Sequence, residues 1–144
     1  MKYHFKVHKE KANGFWAEGI ELRECRSQGD TLDDLKDNLK EALELFLSEP
    51  AHSKLIFPMP RRAKIKKGTL AIEVNAKVAF AMTLRNLRLK EGLTQSQMAK
   101  KLAIKNLSQY QRLEDPRRAN PVLLTLKRIK TRFPQLKIDE ILAA

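Results

Sequence analysis

The stretch "LTQSQMAKKLAIKNLSQYQRLEDP", residues 93–116, predicts two short helices joined by a tight turn. Thr94 is a good N-cap for a first helix over residues 95–102. A second helix is expected over residues 107–114, and Pro116 ends it. Two short helices that cross at a fixed angle are the arrangement through which many proteins present one helix to DNA.

The outward face of the second helix is polar rather than apolar. Ile104, Tyr110 and Leu113 are spaced to hold this helix against its neighbours, with the small Ala99 placed at the crossing. The side chains left facing outward are Lys105, Asn106, Ser108, Gln109, Gln111 and Arg112. Asn and Gln can pair with adenine edges in the major groove, and Arg with guanine or phosphate. This face therefore predicts a DNA-binding surface, although a helical bundle that binds protein is the alternative.

Charge is distributed unevenly along the chain. The 144 residues carry a net charge of +12. Residues 75–144 contribute +10 and residues 51–74 contribute +5, whereas residues 1–50 sum to −3. A strongly basic segment favours polyanionic partners, nucleic acid first. The predicted DNA-binding helices lie in that basic segment, so we expect a different partner for the first fifty residues.

Further helices surround the predicted helix pair. Residues 76–91 carry apolar side chains at helical spacing, and Gly92 is placed as the C-cap. Asn120 followed by Pro121 predicts another helix start, and Pro134 predicts its end. Residues 75–144 are therefore expected to form an all-α bundle with a helix-turn-helix.

The N-terminal half predicts a small antiparallel sheet with one packed helix. Tyr3, Phe5 and Val7 alternate with polar residues, and Asn13-Gly14 is a strong hairpin turn. Strands are expected in "FWAEGIEL", in "RECRSQ" and in "TLAIEV". Thr31 and Asp34 form a capping-box pattern before a helix with leucines at helical spacing. The fold class is α+β, with a domain over 1–74 that contains a basic, Pro-containing loop or linker at 50–69, and a domain over 75–144.

The cysteine count and the hydropathy pattern indicate the compartment. Cys25 is the one cysteine, so the chain has no internal disulfide, and a reducing compartment fits. No apolar run approaches the roughly 18 residues that a membrane span needs, and the N-terminus lacks an apolar signal core. We expect a cytoplasmic protein with no membrane partner.

The C-terminal half resembles the Cro/phage-repressor type of helix-turn-helix over about residues 76–138. Gly92 to Gln95, Ala99, and Leu113-Glu114 fall where that family has them. The resemblance implies that Gln95 binds phosphate or a base, and that Arg88 pairs with Glu114 and touches phosphate. The implied DNA-binding set is Arg88, Thr94, Gln95, Lys105, Asn106, Ser108, Gln109, Gln111, Arg112 and Arg117.

Two features depart from the repressor pattern. Ala103 stands where the family has a turn glycine, and residues 105–109 form a segment one residue longer than usual. The extra residue leaves open which of Asn106, Ser108 and Gln109 faces a base.

The N-terminal half resembles the HicB antitoxin domain. The matching positions are Gly14, Phe15, Ala17, Cys25, the "QGDT" turn at 28–31 and "EALEL" at 41–45, while "ELREC" departs from the family's Pro-Gly before the cysteine. The resemblance implies a partial ribonuclease H-like fold that covers a HicA-like, RNA-cleaving toxin. It also implies that the C-terminal domain binds the operator and represses the gene pair. The candidate toxin-binding residues are Trp16, Asp33, Asp34, Asp37 and Glu41.

The function expected from sequence is therefore an antitoxin and autorepressor, not an enzyme. A ribonuclease of this fold needs a carboxylate on its first strand, and "YHFKV" has none. We expect no catalytic residues, no metal and no cofactor. The alternative is a one-component transcription regulator whose N-terminal domain senses a small molecule. Repressors of this kind act as dimers, so a homodimer or higher homo-oligomer is expected, with the helices after Asn120 as candidate contacts.

Overall fold

The structure is a computed structural model that describes residues 1–61 and 66–142, and it divides the chain into two compact units. The sheet unit contains residues 1–47 and 57–74. The helical unit contains residues 48–56 and, in the described part of the chain, residues 75–142. Residues 48–56 thus group with the later helices, whereas the sequence analysis placed them in the N-terminal domain. Residues 62–65 of the basic segment and residues 143–144 of the C-terminal domain lie outside the described residues.

The sheet unit has four antiparallel strands in the order β3-β2-β1-β4, which are Arg26–Gly29, Phe15–Gly19, Lys2–Lys9 and Thr69–Glu73. β1 and β2 form the predicted hairpin, with positive φ at Asn13 and Gly14. β4 pairs with the other edge of β1, so the strand predicted in "TLAIEV" is confirmed. The antiparallel sheet and the α+β class are as expected.

Helix α1, Leu32–Leu47, covers one face of the sheet. Its buried residues Leu35, Leu39, Leu43 and Leu47 recur every four positions and form one apolar stripe. The predicted capping box is confirmed, because the Thr31 N–H donates to the Asp34 carboxylate and the Asp34 N–H donates to Thr31 Oγ1. Leu32, at the helix start, is exposed and lies outside this stripe.

The opposite face of the sheet holds a buried polar pair. His4 Nδ1 lies 2.7 Å from Glu21 Oε1, and the backbone N–H groups of His4 and Arg61 also donate to that carboxylate. Burial opposes ionisation of Glu21, but these hydrogen bonds outweigh it and hold the pKa of its carboxyl below the usual value. The pair joins β1 to the loops at residues 21 and 61.

The helical unit has five helices, α2 to α6, over Ala76–Lys90, Gln95–Lys101, Leu107–Leu113, Leu123–Arg132 and Ile138–Leu142. Residues 78–88 of α2 are all buried, so α2 forms the core against which other helices pack. α5 starts at Leu123 with Val122 as its N-cap, so the start predicted at Asn120-Pro121 is wrong by about two residues. None of the helices in the described part of the chain is long and apolar enough to cross a membrane.

Gly29 lets β3 and α1 approach closely. A Cβ at this position would lie 2.4 Å from the backbone N of Leu35 and 2.8 Å from its Cα. Backbone atoms of a capped helix cannot move aside as a flexible side chain can. We predict that Gly29→Ala lowers the free energy of unfolding of the sheet unit by about 1–3 kcal/mol, the usual cost of overpacking.

Urea unfolding followed by the fluorescence of Trp16, the single tryptophan, measures this effect in the sheet unit. Gln28→Ala is the control, because this neighbouring side chain is exposed on the same strand. Equal unfolding midpoints for Gly29→Ala and the parent would contradict the close approach.

Candidate functional site

The turn between α3 and α4 is fixed by local hydrogen bonds. Thr94 caps α3 as predicted: its hydroxyl accepts from the Gln97 N–H, and the Gln97 side chain accepts from the Thr94 N–H. Ala103 then takes a left-handed conformation with φ +53, at a cost of about 1–2 kcal/mol for a residue that is not glycine. The Ile104 N–H donates to Ala99 O at 2.9 Å, which closes the turn. The turn therefore forms without the usual glycine.

A buried cluster around Glu114 joins three helices. Arg88 on α2 donates to its carboxylate through Nε at 2.6 Å and Nη2 at 3.0 Å. Tyr110 on α4 donates through its hydroxyl at 2.5 Å, and Gln95 on α3 through Nε2 at 3.0 Å. We call these four residues the Glu114 cluster. The cluster fixes how α3 and α4 lie against α2.

The surroundings of Glu114 shift the pKa values of its partners. Hydrogen bonds from the Arg88 guanidinium to Glu114 raise the pKa of Arg88, against the effect of its burial. Burial first, and then the nearby Glu114 carboxylate, raise the pKa of the Tyr110 hydroxyl. Tyr110 therefore stays protonated, and remains a hydrogen-bond donor, across the physiological pH range.

Two of the predicted DNA-binding residues, Arg88 and Gln95, are not fully exposed on the surface. Arg88 is 5 % exposed, and its Nη1 donates to Leu93 O at 3.1 Å, so this guanidinium is used inside the protein. Gln95 is half-buried, and its Oε1 accepts from Gln111 Nε2 at 3.2 Å. Gln95 thus connects the buried Glu114 cluster to the exposed side chain of Gln111.

The remaining predicted DNA-binding residues are exposed: Thr94, Lys105, Asn106, Ser108, Gln109, Gln111, Arg112 and Arg117. Asn106 is the N-cap of α4, and its Oδ1 accepts from the Ser108 N–H at 2.8 Å and from the Ser108 hydroxyl at 2.7 Å. Gln109 and Arg112, three positions apart on α4, lie on one outward face. We call the exposed side of α4, together with the first turn of α3, the α3–α4 face.

An open groove of about 780 Å³ runs beside α4. Residues after α4 also line it, and the polar ones among them are Arg118, Asn120, Thr125 and Arg128. Arg128 Nη1 donates to Ala103 O at 3.2 Å, and Arg118 pairs with Asp115 at 2.6 Å. These four residues were not among the predicted DNA-binding residues. The basic residues between positions 117 and 132 could have indicated a nucleic-acid surface, but only the fold shows that some of them lie beside α4.

The candidate toxin-binding residues fall on two surfaces of the sheet unit. Asp33, Asp34, Asp37 and Glu41 are exposed on α1. Trp16 lies on the outer face of the sheet, where its ring stacks on His8 with centroids 4.2 Å apart. The structure therefore does not bring Trp16 together with the α1 carboxylates.

A second open groove of about 480 Å³ lies at the start of α1. Four carboxylates line it, those of Glu10, Asp30, Asp34 and Asp37. Glu10 and Asp30 were not predicted, because the hairpin loop and the β3–α1 corner come together only in the fold. The groove gives the sheet unit an acidic surface.

Within residues 1–61 and 66–142, no group of three His, Cys, Asp or Glu side chains is arranged to hold a metal ion. Burial raises the pKa of the Cys25 thiol to about 11, so the thiol is protonated at neutral pH and is a poor nucleophile.

No protein-family model matches the chain, and no curated protein matches it. The features that bear on function are therefore the Glu114 cluster, the α3–α4 face and the charges of the two units.

We predict that Glu114→Ala lowers the free energy of unfolding of the helical unit by about 3–5 kcal/mol, because it leaves the Arg88 guanidinium buried without a carboxylate. Urea unfolding followed by far-UV circular dichroism measures the loss. Arg118→Ala is the control, since it breaks a more exposed ion pair in the same unit and is expected to cost at most about 1 kcal/mol. A similar, small loss in both variants would contradict the structural importance of the cluster.

Proposed function

We propose that the helical unit is a DNA-binding helix-turn-helix domain, with α4 as the recognition helix. The observation that carries the proposal is the exposed polar face of α4, held in a fixed orientation by the Glu114 cluster within a segment of net charge +10. A rigid helix that carries amide and guanidinium groups can enter the major groove and contact base edges. The basic charge of the segment favours the phosphate backbone around it.

Within this domain we assign base reading to Gln109 and Arg112. Asn106 and Ser108 bond to each other at the start of α4, whereas Gln109 and Arg112 extend from its outward face. Arg pairs with guanine and Gln with adenine in the major groove. The phosphate contacts fall to residues at the edges of that face, which are the exposed Thr94, Lys105, Arg117 and Arg118 and the half-buried Arg128.

We propose that the sheet unit is a HicB-like antitoxin domain with a partial ribonuclease H-like fold. Its partner would be a HicA-like toxin that cleaves RNA, and the whole chain would repress its own operon. The acidic groove at the start of α1 supports this proposal, because a toxin that grips RNA must present a basic surface. A homodimer would place two recognition helices about 34 Å apart on one face of the operator.

The assignment of Arg112 is tested with DNA selected from a random duplex library by the full chain. We predict that Arg112→Ala weakens binding to the selected site by about 1–3 kcal/mol, which is roughly fivefold to 150-fold in Kd. Lys40→Ala is the matched control, because it removes an exposed charge from α1 in the sheet unit. Equal losses in the two variants would contradict the assignment, and failure to select any DNA would contradict the proposed domain function.

The antitoxin proposal is tested by capturing partners from the host lysate with the full chain. We predict a small basic protein that cleaves RNA and is inhibited when the chain is added at equal concentration. Asp37→Lys should weaken this inhibition, because it reverses a charge in the acidic groove. Asp139→Lys, a charge reversal on α6, should not. A chain that binds DNA but captures no such protein would favour the ligand-sensing regulator.

A further inference from the structure

An exposed leucine begins the proposed recognition helix. Leu107 is the first residue of α4 and is 41 % exposed. The core side of α4 is occupied by Tyr110 and Leu113, which are both buried. Leu107 therefore places apolar surface beside the side chains of Ser108 and Gln111, which are polar and exposed.

Polar side chains close to Leu107 in the helix already bond within the protein. Asn106, the preceding residue, caps α4 and holds the Ser108 hydroxyl. Gln111, which lies one turn later on the same side of the helix, donates to Gln95. Leu107 gives this part of the α3–α4 face an exposed apolar side chain, which cannot form a hydrogen bond.

We propose that Leu107 contacts the 5-methyl group of a thymine and so selects thymine at one position of each half-site. This inference rests on the proposed DNA-binding function. The N-terminal residues of a recognition helix contact base edges in the major groove. Thymine presents a methyl group there, and contact with this methyl is the way an apolar side chain distinguishes a base. Leu107 is thus a specificity residue that is additional to Gln109 and Arg112.

The proposal is tested by replacing thymine with uracil, which removes the methyl group and keeps the base pairing. The duplex selected by the full chain is prepared with uracil at each thymine in turn, and Kd is measured for each. We expect one thymine in each half-site at which uracil weakens binding about fourfold, the factor that burial of one methyl-sized group supplies.

Two variants at Leu107 separate the methyl contact from other effects. Leu107→Ala should bind the thymine and uracil duplexes equally at that position, whereas Leu107→Met should retain the preference. Leu45→Ala, which removes an exposed leucine from α1 in the sheet unit, should also retain it. The thymine-to-uracil ratio of each variant does not depend on how much of the variant is folded.

The outcomes distinguish this inference from the proposed function. The assignment of Leu107 is overturned if the parent binds every uracil duplex as tightly as thymine, or if Leu107→Ala keeps the full thymine preference. It is also overturned if the selected site contains no constant thymine. In those three cases sequence-selective DNA binding still stands. If no sequence is selected at all, both the assignment and the DNA-binding function fail.

Discussion

The buried carboxylate of Glu114 is the group on which the arrangement of the helical unit depends. It accepts four hydrogen bonds from side chains on three different helices, two from Arg88 and one each from Tyr110 and Gln95. A buried carboxylate and a buried guanidinium are each costly alone, but as a bidentate pair with further donors they are satisfied. Because the donors come from α2, α3 and α4, the same bonds also fix the angle at which α4 is exposed.

The sheet unit is organised by a different constraint, the close packing of α1 against β3. Gly29 leaves room for the helix backbone, and the capping box of Thr31 and Asp34 begins the helix directly after it. This tight corner brings Asp30 and Asp34 beside the hairpin loop and so creates the acidic groove. The acidic surface therefore lies on the sheet unit, while the basic charge is concentrated in the residues of the helical unit. This separation supports the proposed assignment of a different binding partner to each unit.

Local sequence signals predicted most of the elements, since each depends on neighbouring residues. The Asn13-Gly14 turn, the leucine spacing of α1 and the Thr94 cap all have short-range causes. The pairing of His4 with Glu21 and the position of Arg128 beside α4 could not be predicted, because these contacts join segments far apart in the chain. The helix start predicted at Asn120-Pro121 was wrong, since Val122 is the N-cap of α5 and the helix begins at Leu123. The exposed face of α4 could be predicted because it depends on local helical spacing. The hydrogen bonds of Gln95 with Glu114 and Gln111 could not, because they join residues far apart in the chain.

Hydrogen–deuterium exchange of the full chain, with and without a selected DNA duplex, shows whether the α3–α4 face, held by the Glu114 cluster, binds DNA. If it does, we expect slower exchange at the amides of α4 and at the start of α3, with the exchange of β1 to β4 unchanged. Slower exchange in the strands of the sheet unit, with unchanged exchange in α4, would contradict DNA binding by this face.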